Sequence, residues 1–387
     1  MDFSFTVLLT LTFFSGILII LLWIMLHNNQ IIQKAGISSL FIGLLLVLFR
    51  LLMPVEFPFA RNVPIRHILP DITLFMENKI LYIGTLKLSI LQLMHIIWAL
   101  GIIILLIKFL FEYLLFKRKV GLLPPAEDIE LHSALQEVLA DFRSHKNFRI
   151  VIMKNVTTPM LFGIQKPYII IPSLNLTKDE WYYVLKHEIT HYCKGDLWIK
   201  LLVEYLCIFY WWNPFIYLLK KQAAKAIELH TDYKITDSFD DIRKIEYFEC
   251  ILKIAKNQAK DKSNKALLTL TGNNASVLSQ RLHVTLTDYS DISKFTFKHL
   301  AVFLTFLFLT ASSFLFVFEP YAISPYDEST TFELNEQNAY LVVNPDGGYD
   351  LYYKKNYFVT VHEIENSYSG LHIYNNIDEV KNNEKNK

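Results

Sequence analysis

Two histidines four residues apart bracket a glutamate in His187-Glu188-Ile189-Thr190-His191. On an α-helix, positions i and i+4 lie one above the other, so both imidazoles reach a single metal ion. Glu188 lies beside that face, where it can take a proton from a water polarised by the ion and pass it to a leaving amine. This is the chemistry of metal-assisted peptide hydrolysis, feasible at neutral pH because the ion brings the pKa of that water to roughly 7. A catalytic zinc also needs a third protein ligand and an open position. Downstream, Glu204, Glu228, His230 and Asp232 are the choices. Glu204 sits in a strongly apolar helix well past Gly195 and points away. Glu228 and Asp232 are i,i+4 and share a face, so one can bind the ion while the other orients a ligand histidine. His230 points elsewhere on the same helix. Asp196 is suited either to orient a ligand histidine or to cap the next helix.

The elements that must carry these groups are readable. Residues 175–195 form a helix: Thr177-Lys-Asp-Glu180 is a capping box ahead of an apolar run, and Gly195 is a C-terminal stop. Residues 127–143 alternate at helical spacing. Strand signals lie at Arg149–Met153, Pro159–Gly163 and Tyr168–Ile171, the last two flanking the turn Gln165-Lys166-Pro167. Pro159 lacks a donor, which suits an edge strand able to receive an extended peptide. Leu197 to Leu219 has the hydropathy of a span, but it contains Lys200, Glu204 and the break Asn213-Pro214. A full crossing would put His187 and Glu228 on opposite sides of a bilayer. The run is therefore expected to be a helical hairpin bent at Asn213-Pro214, dipping into or lying against the membrane, with Tyr210, Trp211 and Trp212 at its interface. Lys253–Lys265, with five lysines, reads as a solvated linker.

Hydrophobic residues make up 52% of the 387-residue chain and charged residues only 19%, and the mean hydropathy is +0.28. The apolar residues collect in runs at about 3–26, 35–53, 88–107 and 298–318, each long enough to cross a bilayer. Lys117, Arg118 and Lys119 follow the third run, and Lys294 and Lys298 flank the start of the fourth, which predicts a cytoplasmic segment 117–297. The N-terminus, the loop 54–87 and the tail 319–387 then lie outside. The expected architecture is a mostly α membrane protein: four transmembrane helices, a cytoplasmic α+β zincin-like metallopeptidase domain, and a small extracellular β-rich tail. Ala339–Val343 and Tyr349–Tyr353 around Asn344-Pro-Asp-Gly-Gly348 give that tail a hairpin. A net charge of +1 argues against direct nucleic-acid binding. Cys193, Cys207 and Cys250 show no CxxC pairing, against a disulfide scaffold or a cysteine-based zinc site.

Taken in order, Thr158-Pro-Met-Leu-Phe-Gly163, His187-Glu-Ile-Thr-His191 with Asp196, Trp212-Asn-Pro214 and Glu228-Leu-His-Thr-Asp232 resemble the BlaR/MecR-type membrane zinc metallopeptidases over roughly residues 1–320. The resemblance implies zinc as cofactor, with His187, His191 and Glu228 as metal ligands, Glu188 as catalytic base, and Asp232 and Asp196 in support. It implies a cytoplasmic protein substrate such as a DNA-binding repressor, together with self-cleavage between the zinc site and the last span, for which Lys253–Lys265 is accessible. A homodimer is compatible with it. The middle of the third-ligand segment departs from the family's usual Glu-Leu-Ala-Cys-Asp, since His230 and Thr231 stand there. In the tail, none of Ser324, Ser329, Ser367 or Ser369 has a lysine three positions on, so direct β-lactam binding by these residues is not expected.

Three functions compete. The first is a zinc endopeptidase (gluzincin-like) that transmits an outer signal by cutting a cytoplasmic protein. The second is a membrane quality-control protease. The third is a non-catalytic transducer with a structural zinc site. A structural site is normally closed by four protein ligands and has no use for Glu188.

Overall fold

The first charge-free run folds as helix α1, Phe5–His27. Asn28 then accepts from the N–H groups of Gln30 and Ile31 and starts α2, Asn29–Ala35. Gly36 takes φ 76°, which glycine adopts without strain. The chain turns there by 92° into α3, Ile37–Leu52. The second expected span, 35–53, is α3 apart from its ends, and the bend falls where the span begins. Its long part is a 16-residue helix, about 24 Å in length. The His299 ring fills the place of a side chain at the bend, where a Cβ on Gly36 would come within 2.7 Å of it.

A segment of short elements follows, with β1 (Arg61–Ile65), α4 (Leu69–Glu77), β2 (Lys79–Ile83) and β3 (Leu86–Ser89). Ser89 and Gln92 form a reciprocal cap that starts α5, Ile90–Gly121. This helix runs well beyond the expected 88–107. Lys108 and Glu112 end the apolar run, but both are good helix formers and do not end the helix.

Asp128 caps α6, Ile129–Asp141. Strands β4 (Arg149–Ile152), β5 (Met160–Phe162) and β6 (Tyr168–Ile171) make a sheet in the order β4-β6-β5, with β6 parallel to β4 and antiparallel to β5. The segment containing Pro159 therefore does lead into an edge strand. Helices α7 (Lys178–Lys194), α8 (Asp196–Phe209), α9 (Pro214–Thr236), α10 (Asp241–Lys260), α11 (Asn274–Leu286) and α12 (Phe297–Leu315) complete the helical set.

The structure describes residues 5–55, 57–65, 67–83, 86–154, 156–260, 274–286, 297–320, 334, 338–344, 348–353, 356–361, 371–376 and 379; it is a computed structural model. Among these, α1, α5 and α12 are long and apolar enough to cross a membrane, and the bent pair α2–α3 adds a fourth if taken as one span.

Two expectations need correcting. The last apolar run does not stay helical to Phe318: Phe316–Pro320 is strand β7, paired in parallel with β1 from Arg61↔Phe316 to Ile65↔Pro320. Its aromatic and β-branched residues favour that pairing once a partner strand is present. The supposed linker is also wrong at its start. Asp241 to Lys260 is helical, and Lys253 is held by Glu180 at 2.6 Å. Residues 261–265 lie outside the described residues.

Two large cores and a smaller cluster of Val120, Val151, Val156 and Ile170 hold the first unit, residues 1–320. One gathers Leu22, Leu44, Leu206, Ile216, Ala226 and Phe306, so α1, α3, α8, α9 and α12 share it. The other packs Leu131, Ile169, Trp181, Leu185, Tyr247 and Phe248, joining α6, the sheet, α7 and α10. Fully burying one large apolar side chain of this kind contributes roughly 1.5–3 kcal/mol. The second unit is a four-stranded sheet in the order β10-β9-β8-β11, made of β8 (Ala339–Val343), β9 (Tyr349–Tyr353), β10 (Asn356–Val361) and β11 (His372–Tyr374). The expected hairpin is its antiparallel β8–β9 pair.

Candidate metal centre

Helix α7 carries the first two site residues because both of its ends are fixed. Thr177 accepts from the Glu180 N–H while the Glu180 carboxylate accepts from the Thr177 N–H, and Gly195 closes the helix at φ 74°. Trp181, Leu185 and Ile189 recur at i, i+4 and i+8 and are buried in the second core. That anchors one face and leaves His187 and His191 on another. Glu188 sits between them in sequence and is 7% exposed.

The third residue returns by way of the hairpin. Asn213 accepts from the Phe215 N–H and Pro214 occupies the first turn, so α9 starts sharply and runs back beside α8. The bend is where the sequence places it, but the aromatic tip is not all at a surface. Tyr210 is 1% exposed and donates to the Leu51 carbonyl at 2.9 Å. Trp211 Nε1 points to the Trp98 carbonyl at 3.4 Å. Only Trp212 is well exposed.

The return brings Glu228 to the histidines. His187, His191 and Glu228 each offer a ligand atom within 4.8 Å of the others. His187 Nε2 and His191 Nε2 are 3.1 Å apart. The Glu228 carboxylate lies 3.4 Å from His187 Nε2 and 3.5 Å from His191 Nε2. Burial alone would raise the Glu228 carboxyl, but His191 and His187, then Arg281 and Lys200, hold it well below the usual carboxylate range. Burial would likewise lower the His187 imidazole, and Glu228 reverses the direction to a rise.

Surrounding groups fix which imidazole nitrogen faces the cluster. Asp196 Oδ2 sits 2.6 Å from His191 Nδ1 and also accepts from Thr231 at 3.1 Å. Of the two roles open to Asp196, its side chain takes the one beside a histidine. On the other ring, Tyr247 donates to Asp232 Oδ1 at 2.7 Å, which leaves its oxygen to accept the His187 Nδ1–H at 2.8 Å. With Nδ1 of each ring turned to these partners, both histidines direct Nε2 inward, the orientation that metal-binding imidazoles use. Asp232 is fully buried and paired by Arg281, at 2.5 Å from Nε and 2.9 Å from NH2. Arg281 NH1 also lies 3.5 Å from Glu228. Burial would lower the Arg281 guanidinium, yet Asp232 and Glu228 drive it upward, so it stays charged. Burial, with Asp232 behind it, pushes the Tyr247 phenol well above its ordinary range and keeps it a donor.

The other sequence candidates stand apart. Glu204 pairs with Lys220 at 2.6 Å. The His230 ring stacks on Phe41 with centroids 4.2 Å apart. Burial, with Lys194 and Lys234 nearby, lowers that ring to about 4. Tyr247 and Arg281 were not legible, since neither belongs to a motif. The signal available was weak: a tyrosine on the apolar stripe of α10, and an arginine in a short helix before the last span. Substituting Tyr247→Phe removes the bridge between Asp232 and His187. Metal affinity should fall about 10–100-fold with the helical content unchanged, as measured by competition against a chelator. Unchanged affinity would show that His187 needs no help from the hydroxyl.

Two imidazoles and a carboxylate, held on two helices of a chain with several membrane-length apolar helices, form a cluster able to hold a metal ion. Residues 62–285, more than half of the chain, match the BlaR1 peptidase M56 family. The chain belongs to that family. It is 29% identical over 159 residues to regulatory protein BlaR1 of Bacillus licheniformis, covering 41% of this chain and 26% of that protein. It is 26% identical over 146 residues to the methicillin resistance mecR1 protein of Staphylococcus aureus, covering 37% and 25%. The same figures hold for that of Staphylococcus epidermidis. The chain thus matches about a quarter of the length of these curated relatives.

Proposed function

We propose that the protein is a zinc-dependent endopeptidase of the gluzincin kind, set at the inner face of a membrane by four spans. In this reading His187, His191 and Glu228 hold the ion, and Asp196 and Asp232 orient the two histidines. The spacing of the three ligands carries the proposal. A tetrahedral zinc with arms of roughly 2.0–2.1 Å has edges of about 3.3–3.4 Å; here the two Nε2 atoms are 3.1 Å apart, and the Glu228 carboxylate approaches them through different oxygens, Oε2 at 3.4 Å from His187 and Oε1 at 3.5 Å from His191, a separation of that order. Two Nε2 atoms this close, with a carboxylate beside both, are a donor set that one cation can bridge. Zinc, when bound, supplies a Lewis acid that polarises the scissile carbonyl and activates water. Glu188 then takes the proton of the attacking water and delivers it to the leaving amine. An extended substrate can add to the free side of β5, with its backbone groups paired.

The basic residues at the inner end of α5 support a cytoplasmic peptidase segment. The regulatory name of one relative supports a signalling role, with a cytoplasmic protein such as a DNA-binding repressor as substrate. The test is metal content. Purified Glu228→Ala should bind zinc at least about 100-fold more weakly than the parent, the upper range for a lost supporting contact and a lower bound for a lost ligand. If its zinc content is unchanged, Glu228 is no ligand and the assignment fails.

A further inference from the structure

We propose that Thr231 is a positioning residue of the metal centre: its hydroxyl sets the Asp196 carboxylate beside His191, and so ties that imidazole to the helix that carries Glu228. The inference rests on the metal-centre reading given above.

The hydroxyl points in an unusual direction. A threonine inside a helix can donate to the carbonyl four residues back, which satisfies it locally. Thr12, Thr190, Thr236 and Thr305 do so, onto Leu8, Lys186, Asp232 and Ala301. Thr231 leaves its own helix and donates to Asp196 Oδ2 at 3.1 Å. Its oxygen also lies 3.4 Å from His191 Nδ1, and Asp196 Oδ2 is 2.6 Å from that nitrogen, so the three groups close a small triangle. Thr231, Asp196 and His191 are all buried. A buried carboxylate needs hydrogen-bond partners, and among the described residues these two side chains are the ones Asp196 has. Without the hydroxyl only the imidazole is left. The carboxylate can then turn about its own bond, and the ring turns with it.

One turn of α9 reaches both imidazoles. Glu228, Thr231 and Asp232 stand at i, i+3 and i+4 and share a face. Asp232 reaches His187 Nδ1 by way of the Tyr247 hydroxyl, and Thr231 reaches His191 Nδ1 by way of Asp196. Lys194 donates to the His230 carbonyl at 3.1 Å and pins the end of α7 to the same turn. Helix α9 thus brings the third ligand together with the outer end of both supporting chains, and its register sets how both rings stand.

Thr231→Val tests this, because valine keeps the branched shape and removes the hydroxyl. The full chain is purified in detergent, stripped of metal and titrated with cobalt(II), whose visible absorption follows the placement of its ligands. Thr231→Val should bind the ion about tenfold more weakly, the lower end for a lost outer contact, and its saturated spectrum should differ from the parent's. Thr231→Ser keeps the hydroxyl. It should recover the affinity to within about twofold, the scatter of independent effects, and restore the parent spectrum. Thr231→Val within about twofold of the parent overturns the proposal. So does a weakened variant with the parent's spectrum, which marks loosening of the fold alone. Where valine prevents folding, Thr231→Ala is judged by the same limits.

The route through Asp196 is tested by a double substitution. In the Asp196→Ala background, Thr231→Val should change the affinity by less than about twofold. A full tenfold loss there, about the same as in the parent, shows that Thr231 acts around Asp196 and overturns the proposal. A parent chain that takes up no cobalt(II) sinks the metal-centre reading and this proposal with it, whereas each of the other failures leaves that reading standing.

Discussion

Glu188→Gln should leave zinc bound and lower the rate of peptide cleavage by roughly 10²–10⁴-fold, the range a positioned general acid–base contributes. Glutamine preserves the size of the side chain on α7 but cannot carry a proton from water to the leaving amine. The three proposed ligands are His187, His191 and Glu228, so the substitution removes none of them. Glu188 is only 7% exposed, and glutamine avoids leaving a void at that position. The measurement is paired: zinc per chain, and the initial rate on a common peptide mixture. Loss of both signals damage to the fold. Retention of both means that Glu188 takes no part in the chemistry and that the site needs another base.

Arg281→Ala should have the largest effect on stability. Asp232 is completely buried and Arg281 is 15% exposed, and they are joined by two contacts. Removing one partner of such a pair leaves an uncompensated buried charge, at a cost of about 3–5 kcal/mol. The loss does not stop at Asp232. Its carboxylate also receives the Tyr247 hydroxyl, which in turn holds His187, so zinc affinity should weaken along with the fold. Thermal unfolding in detergent, with and without added zinc, reads both effects. Arg281→Lys restores the charge but not the planar two-point geometry, and should recover only part of the loss. Unfolding of Arg281→Ala that coincides with the parent would show that the pair contributes little.

What could be read beforehand divides by distance along the chain. The boundaries of α7 are local chemistry, Thr177 with Glu180 at one end and Gly195 at the other, and the coordinates place them where the sequence does. His187 and His191 are likewise a local spacing. Glu228 lies one hairpin away; on spacing alone it stood level with Asp232, and the family resemblance separated them. Tyr247 and Arg281 come from α10 and α11, which no pattern links to the histidines. Their roles exist only once packing brings four helices to one point. The connection between the first two spans was legible as a break near Lys34, but not as the short helix α2 with a sharp turn at Gly36, because the His299 ring that occupies the open side of that turn comes from the far end of the chain. β7 was read as helix because hydropathy does not distinguish a helix from a strand that finds a distant partner.

The pairing of β1 with β7 has a mechanical consequence. Leu315 ends α12 and Phe316 begins the strand, with no slack residue between them. Five consecutive ladder partners fasten that strand to Arg61–Ile65, and the Phe318 N–H is anchored on Thr10 of α1. The C-terminal end of α12 is thus clamped like a beam at its wall, not hung like a rope. A displacement applied there must be shared with α1 and the loop after α3, or it must first break the clamp.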